Sequence, residues 1–256
     1  MGAMIEARGL SKSYGELLAV DGLDLSVEAG EILGFLGPNG AGKTTTVKML
    51  TGMIQPASGQ ARICGIDVSK DPVAAKQCLG YVPESGALYE SLSAAEFLRM
   101  VGSLYGMRRG DVDRRADRFL ELFGILDARD RLISGFSKGM KQKVLISAAL
   151  LSNPQALFLD EPLNGLDPNA ALVVKTLLRE LADQGRAILF CSHIIDVIER
   201  VCTRVVIIHE GRQVAGGAPE QIAADHGVET LEDAFVQLTG VRDTEAVARE
   251  LLVALQ

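Results

Sequence analysis

One octapeptide, Gly37-Pro38-Asn39-Gly40-Ala41-Gly42-Lys43-Thr44, constrains this chain more than any other stretch of it. It fits the pattern Gly-x-x-x-x-Gly-Lys-Ser/Thr. Glycines let the backbone curl until successive N–H groups point at one anion. A helix leaving the loop aims its positive end at the same place. Such a loop needs a buried strand running into it and a helix running out. Residues 31–36 are a short, mostly apolar run suited to a strand of a parallel sheet, and residues 43–51 resume as a helix. Lys43 supplies a point charge for the β and γ phosphates of a nucleotide, and the Thr44 hydroxyl is suited to Mg2+. The candidate nucleotide-binding residues are therefore Gly37, Pro38, Asn39, Gly40, Ala41, Gly42, Lys43, Thr44 and Thr45.

Further short apolar runs occupy residues 156–159, 187–191 and 205–208, with helical patterns between them. That alternation implies a parallel sheet covered by helices. The start reads as strands over residues 4–8 and 19–27, the second with Val20, Leu23, Leu25 and Val27 in alternation. From about residue 86 to 153 there is no strand run. Ser93-Ala94-Ala95-Glu96 is a capping box opening a helix with Phe97, Met100, Val101 and Leu104 on one face, and residues 111–123 and 137–152 follow as two more helices. The expected fold is α/β: a P-loop NTPase core with a parallel sheet, an N-terminal antiparallel β-subdomain, a helical insertion and a short C-terminal helical tail.

Composition narrows the function classes. At 256 residues and 48% hydrophobic content the chain is no disordered segment. Its longest purely apolar stretches are short, such as Val205-Val206-Ile207-Ile208. A membrane-spanning helix needs about 20 apolar residues, so any membrane role goes through a partner chain. The net charge is −7, and residues 216–256 carry eight acids against two bases. That shift suggests a boundary, with residues 1–218 as the main domain and 219–256 as an acidic helical tail. Its apolar faces are Leu231, Ala234, Phe235, Leu238 and then Ala248, Leu251, Leu252, Leu255. The acidic balance argues against non-specific nucleic-acid binding. Cys64, Cys78, Cys191 and Cys202 are scattered without metal-ligand spacing and read as buried thiols in a reducing cytoplasm. No secretory signal opens the chain, and Met1-Gly2-Ala3-Met4 reads as an expression scar before a start at Met4.

Asp160 and Glu161 end the run at 156–159. Ligands of open parallel sheets gather at the carboxyl ends of strands. Asp160 is thus placed as a second Mg2+-holding group, and Glu161 as the carboxylate that takes a proton from attacking water.

Three more motifs follow in order: Phe136-Ser137-Lys138-Gly139-Met140-Lys141-Gln142, then Asn164-Gly165-Leu166-Asp167, then Ser192-His193. Together with the loop and the acid strand, this set resembles the nucleotide-binding subunit of an ABC transporter over the chain up to about residue 218. The resemblance implies roles at the matching positions. Ser137 and Gly139 match the signature Leu-Ser-Gly-Gly-Gln, which touches the γ-phosphate bound to the opposite subunit. Ser137 is also a natural N-cap, so this helix too points a positive end at anions. Asp167 matches the loop crossing the dimer interface, His193 the switch histidine at the γ-phosphate, and Tyr14 the aromatic that stacks on adenine. The chain departs from the family pattern at Phe136, Lys138 and Met140. Glu84 replaces the family's loop glutamine, where a carboxylate reaches Mg2+ or the water. These variants, with Gly86-Ala87-Leu88-Tyr89 and Leu231-Glu232-Asp233-Ala234-Phe235, resemble the exporter branch called ABC-2 type.

The resemblance implies an ATPase that uses ATP and Mg2+ and powers transport. Its partners are a second copy or a related ATPase subunit and an integral-membrane permease, at the cytoplasmic face of the cell membrane, with no nucleic acid. A soluble ATPase of the same superfamily clamping DNA or a ribosome is the alternative. Such chains carry long coiled-coil insertions, zinc cysteines or two cassettes, none of which is present. A small-molecule kinase leaves the Ser137 segment and the Asn164–Asp167 motif without a role.

Overall fold

The structure, a computed structural model, describes residues 2–84, 88–240 and 253–255. Strands β1 (Ile5–Tyr14) and β2 (Leu17–Val27) form a hairpin. Strand β3 (Ile32–Leu36) runs into the glycine loop, from which α1 (Lys43–Leu50) emerges. The chain returns to the hairpin with β4 (Ser58–Ile63) and β5 (Ile66–Asp67). Helix α2 (Pro72–Gln77), capped by the Asp71 side chain, leads into β6 (Leu79–Val82). Three helices follow: α3 (Ala94–Leu104), α4 (Arg109–Leu122) and α5 (Lys138–Leu150). Then come β7 (Ala156–Asp160), α6 (Pro168–Asp183), β8 (Ala187–Cys191), α7 (Ile195–Val201), β9 (Arg204–His209) and β10 (Arg212–Gly217). Helices α8 (Pro219–Asp225) and α9 (Leu231–Thr239) close the main described segment.

The antiparallel sheet has the order β2-β1-β4-β5. The other sheet has the order β10-β9-β3-β8-β7-β6 and is parallel except for β10, which pairs antiparallel with β9 at the edge. Its central strands are fully buried, which is why they read as unbroken apolar runs. Alternate residues go to two separate cores. Ile32, Leu36, Leu157, Leu159, Ile188 and Phe190 pack with the helical insertion. Leu33, Phe35, Phe158, Leu189 and Cys191 pack with α1 and the antiparallel sheet. The capping box forms as read: Ser93 N–H donates to Glu96 at 2.8 Å, and Glu96 N–H donates to the Ser93 hydroxyl at 3.2 Å.

The structure extends the sequence reading at several points. Strand β1 continues well past residue 8, with register shifts at Ala7/Leu10, Leu10/Lys12 and Lys12/Ser13 that break its alternation. β4 and β10 escaped notice because Ser58-Gly59-Gln60 and Arg212-Gln213 are exposed and polar. Helix α4 begins two residues before the expected 111, at Arg109. In the acidic segment, Leu231 and Ala234 are buried, and Phe235 and Leu238 are half-buried, against the same core as the helical insertion. Helix α8 adds Ile222 to that core and was not anticipated. The second apolar face at Ala248, Leu251 and Leu252 lies outside the described residues, while Leu255 is exposed. Among the described residues no helix is long and apolar enough to cross a membrane. The four cysteines are free; Cys191 and Cys202 are buried, whereas Cys64 and Cys78 are half-buried.

Candidate nucleotide site

At the carboxyl ends of the parallel strands lies a cleft of about 370 Å3. Its walls include Tyr14 at the end of β1, Asn39, Gly40, Gly42, Lys43, Thr44 and Thr45 from the loop and α1, Glu84 after β6, Asp160 at the end of β7, Glu161 just beyond it, and His193 after β8. Gly37, Pro38 and Ala41 belong to the loop but are not among the residues that line the cleft.

The loop is an anion cradle by its backbone. Gly42 caps α1 with a left-handed φ of 104°, a conformation costly for any residue with a side chain. The N–H groups of Asn39, Gly40, Gly42, Lys43, Thr44 and Thr45 find no acceptor among the described residues, so a ring of donors faces the cleft. The Lys43 ammonium folds back onto the loop's own carbonyls, donating to Gly37 O and, at 3.0 Å, to Pro38 O. Burial pulls its pKa below the usual lysine value, opposed by Cys191, Glu161 and Asp160.

The acidic side has two carboxylates with different partners. Asp160 is 3% exposed, and its Oδ2 is buried with no hydrogen-bond partner among the described residues. Burial, then the charges of Glu84 and Glu161, push its carboxyl up to about 6. Glu161 is fully engaged. Oε1 accepts the His193 backbone N–H at 2.7 Å and faces His193 Nδ1 at 2.6 Å. Oε2 accepts the Ser192 hydroxyl at 3.2 Å. A carboxylate can only accept, so the proton of that ring pair sits on Nδ1. Glu161 has a φ of 49°, a strained value for a non-glycine residue, held by its N–H donating to Cys191 O at 3.0 Å. The His193 ring is otherwise open, with its side chain 61% exposed at the cleft mouth.

The donor set fits Mg2+. An orphaned buried carboxylate oxygen on Asp160, the Thr44 hydroxyl and the exposed Glu84 carboxylate are hard oxygen ligands around one cleft. No cluster of three His, Cys, Asp or Glu ligands occurs among the described residues. Mg2+ takes one or two carboxylates and completes its octahedron with substrate phosphates and water.

Tyr14 stands half-exposed on the cleft's outer wall, with the Lys12 ammonium 5.7 Å from its ring centre. Ser137, Gly139 and Asp167 do not line this cleft. Ser137 caps α5, its hydroxyl accepting Met140 N–H at 3.2 Å. A Cβ on Gly139 would lie 2.5 Å from Gly165 O, so α5 and the loop before α6 approach as only glycine allows. Asp167 caps α6, accepting Ala170 N–H at 2.9 Å, and pairs with Lys143 at 3.1 Å. The Ala170 bond and the Lys143 ammonium hold its carboxyl below the usual range.

Residues that sequence reasoning missed include Leu17 and Ala19 in the cleft wall, Ser192 on Glu161, and Gln142, whose amide donates to Pro162 O at 2.9 Å. Ser192, beside His193, and Gln142, at the end of the Phe136–Gln142 motif, stood in sequence motifs without a role of their own.

A phosphate cradle, an acid pair at strand ends and a histidine bonded to one of the acids, on a parallel sheet joined to an antiparallel one, define a nucleoside-triphosphate hydrolase of the P-loop class. Residues 20–164 match the ABC transporter family model. The linearmycin resistance ATP-binding protein LnrL of Bacillus subtilis is 35% identical over 96% of this chain and 78% of its own length. The daunorubicin/doxorubicin resistance ATP-binding protein DrrA of Streptomyces peucetius is 38% identical over 89% of this chain and 69% of its own. A solved ATP-binding subunit of an ABC transporter superposes with a TM-score of 0.87 at 34% identity, covering 92% of this chain and 99% of that one. The chain belongs to the ABC transporter family and is an ATP-binding, ATP-hydrolysing subunit of it.

Proposed function

We propose that this chain powers export through a separate membrane permease by closing as a dimer on ATP and opening after hydrolysis. The observation that carries this reading is the division of the site. The cleft supplies cradle, lysine, acids and histidine, whereas the Ser137–Gly139 segment sits elsewhere, at the capped start of α5. Each chain therefore holds most of one site and the complement of another. Two copies, or one copy and a related subunit, complete both sites by setting the Ser137 segment of each against the γ-phosphate of the other. The export direction is supported by relatives named for drug resistance and for Nod factor export.

Within one chain the roles follow from the contacts. The unpaired N–H groups and Lys43 bind the phosphates, and Tyr14 stacks on the base. Thr44, Asp160 and Glu84 would hold Mg2+, which when bound offsets phosphate charge. Glu161 accepts the proton of the attacking water through Oε1 or Oε2, and His193, already hydrogen-bonded to it through Nδ1, turns its Nε2 edge to the γ-phosphate, to which only a protonated Nε2 donates. ATP binds the closed dimer better than the open one, so its loss on hydrolysis shifts the population back.

The permease meets an apolar groove of about 430 Å3 whose wall includes Met53, Val73, Leu79, Tyr81 and Leu104. Strand β6 lies along it and delivers Glu84 to the cleft, joining the two places. The chain thereby sits at the cytoplasmic face of the membrane, with residues 1–218 as the cassette and 219–256 as its acidic appendage. Glu161→Gln tests the mechanism: hydrolysis falls by about a hundredfold or more while ATP-dependent dimers accumulate. Unchanged turnover removes Glu161 from the role of base, and a variant that stays monomeric at saturating Mg-ATP overturns the sandwich.

A further inference from the structure

The turn between β9 and β10 touches the phosphate loop and the antiparallel sheet at once. Gly211 N–H donates to Ala41 O at 3.0 Å, and Gly211 O accepts Asp21 N–H at 2.9 Å. Gly211 has a φ of 79°, and a Cβ there would lie 2.9 Å from Ala19 O and 3.1 Å from Val20 Cα. Gly42 also packs on that Ala19 carbonyl, and Ala19 is part of the cleft wall. The Arg212 guanidinium fastens the turn, with Nε donating to Asp21 Oδ2 at 2.7 Å.

In a trans peptide the C=O and N–H point in opposite directions. With Ala41 O tied to Gly211, the N–H of the same peptide, that of Gly42, points away from the turn. That N–H has no acceptor among the described residues, and Gly42 lines the cleft. We infer that Gly211 is a positioning residue of the nucleotide site, its N–H fixing the Ala41–Gly42 peptide so that Gly42 N–H is preset to donate to a phosphate. The inference rests on the reading of the cleft as the ATP site. No side chain can substitute at 211, because the approach to Ala19 leaves no room and the backbone is left-handed. The same turn also sets the position of β2, so the phosphate end and the Ala19 wall are tied to one clamp.

The test is titration calorimetry of the full chain with ADP, comparing wild type, Gly211→Ala and Gly185→Ala. Gly185 has a φ of 87° and nothing within 4 Å of its Cβ position, at the amino-terminal end of β8 away from the cleft. It therefore reports backbone strain alone. Gly211→Ala is expected to raise the ADP Kd about tenfold, the loss of one well-oriented hydrogen bond. It should also raise the KM for ATP more than it lowers kcat, while Gly185→Ala changes neither. A folded Gly211→Ala protein with wild-type affinity, or an equal loss in Gly185→Ala, overturns the inference. If Gly211→Ala does not fold, Arg212→Glu takes its place: affinity should fall by roughly threefold and return when Asp21→Arg is added. Wild-type affinity in the Arg212→Glu protein overturns the inference equally. Failure of the wild type to bind ADP would instead overturn the nucleotide reading of the cleft.

Discussion

Asp160 is held in a state that its own fold disfavours. Its folded pKa of about 6 lies above the 3.8 of a free carboxyl, because burial and two neighbouring carboxylates oppose its charge. A raised pKa contributes stability below the unfolded value and loses it as pH rises through the folded one. Without Mg2+ and nucleotide, then, the chain loses stability between about pH 4 and pH 6, by up to about 3 kcal/mol from this group. Melting Asp160→Asn beside wild type should show a stability difference that is small at pH 4 and grows in the variant's favour to pH 7. A difference independent of pH would remove Asp160 as its source. This residue, like Lys43 and Glu161, was legible in the sequence because a short pattern fixed it to the end of one strand. Ser192, Ala19 and Gln142 were not, because their parts arise only where distant segments meet: Ser192 on Glu161, Ala19 between two glycines, Gln142 on Pro162 O.

At the scale of elements, local rules and tertiary rules divided the reading. Helix α3 was legible because a capping box and an apolar stripe announce it, and α5 because Ser137 caps it; both caps form. β4 was hidden because half of it is exposed and polar, its strand character coming from pairing with β1. The groove along β6 was equally invisible, since Met53, Val73 and Leu104 come from separate elements that only the fold assembles. Val73 and Leu104 are 69% and 71% exposed, more than packing within the chain requires. Leu104→Arg should therefore leave the ATPase rate and melting temperature of the isolated chain unchanged while abolishing co-purification with its permease from membranes. Undiminished recovery of the permease would move the docking surface elsewhere.

For the molecule as a whole, the parallel sheet is a partition between two cores. Leu98 belongs to the core shared with the helical insertion, and Ile63 to the one shared with the antiparallel sheet; both are fully buried. Leu98→Ala should cost about 2–5 kcal/mol and Ile63→Val about 0.5–1.5 kcal/mol. Since they share no packing neighbours across the sheet, denaturant unfolding of the double variant should return their sum within about 0.5 kcal/mol. A larger discrepancy would mean that the sheet transmits strain between its faces.

That partition bears on how such a chain diverges. Ile32, Leu157 and Phe190 look toward the helical insertion, while their chain neighbours Leu33, Phe158 and Leu189 look toward the phosphate loop's supports. Substitutions confined to one side repack one core and leave the other side's packing as it was. Drift in one core thus need not be answered in the other, although a single strand carries residues of both.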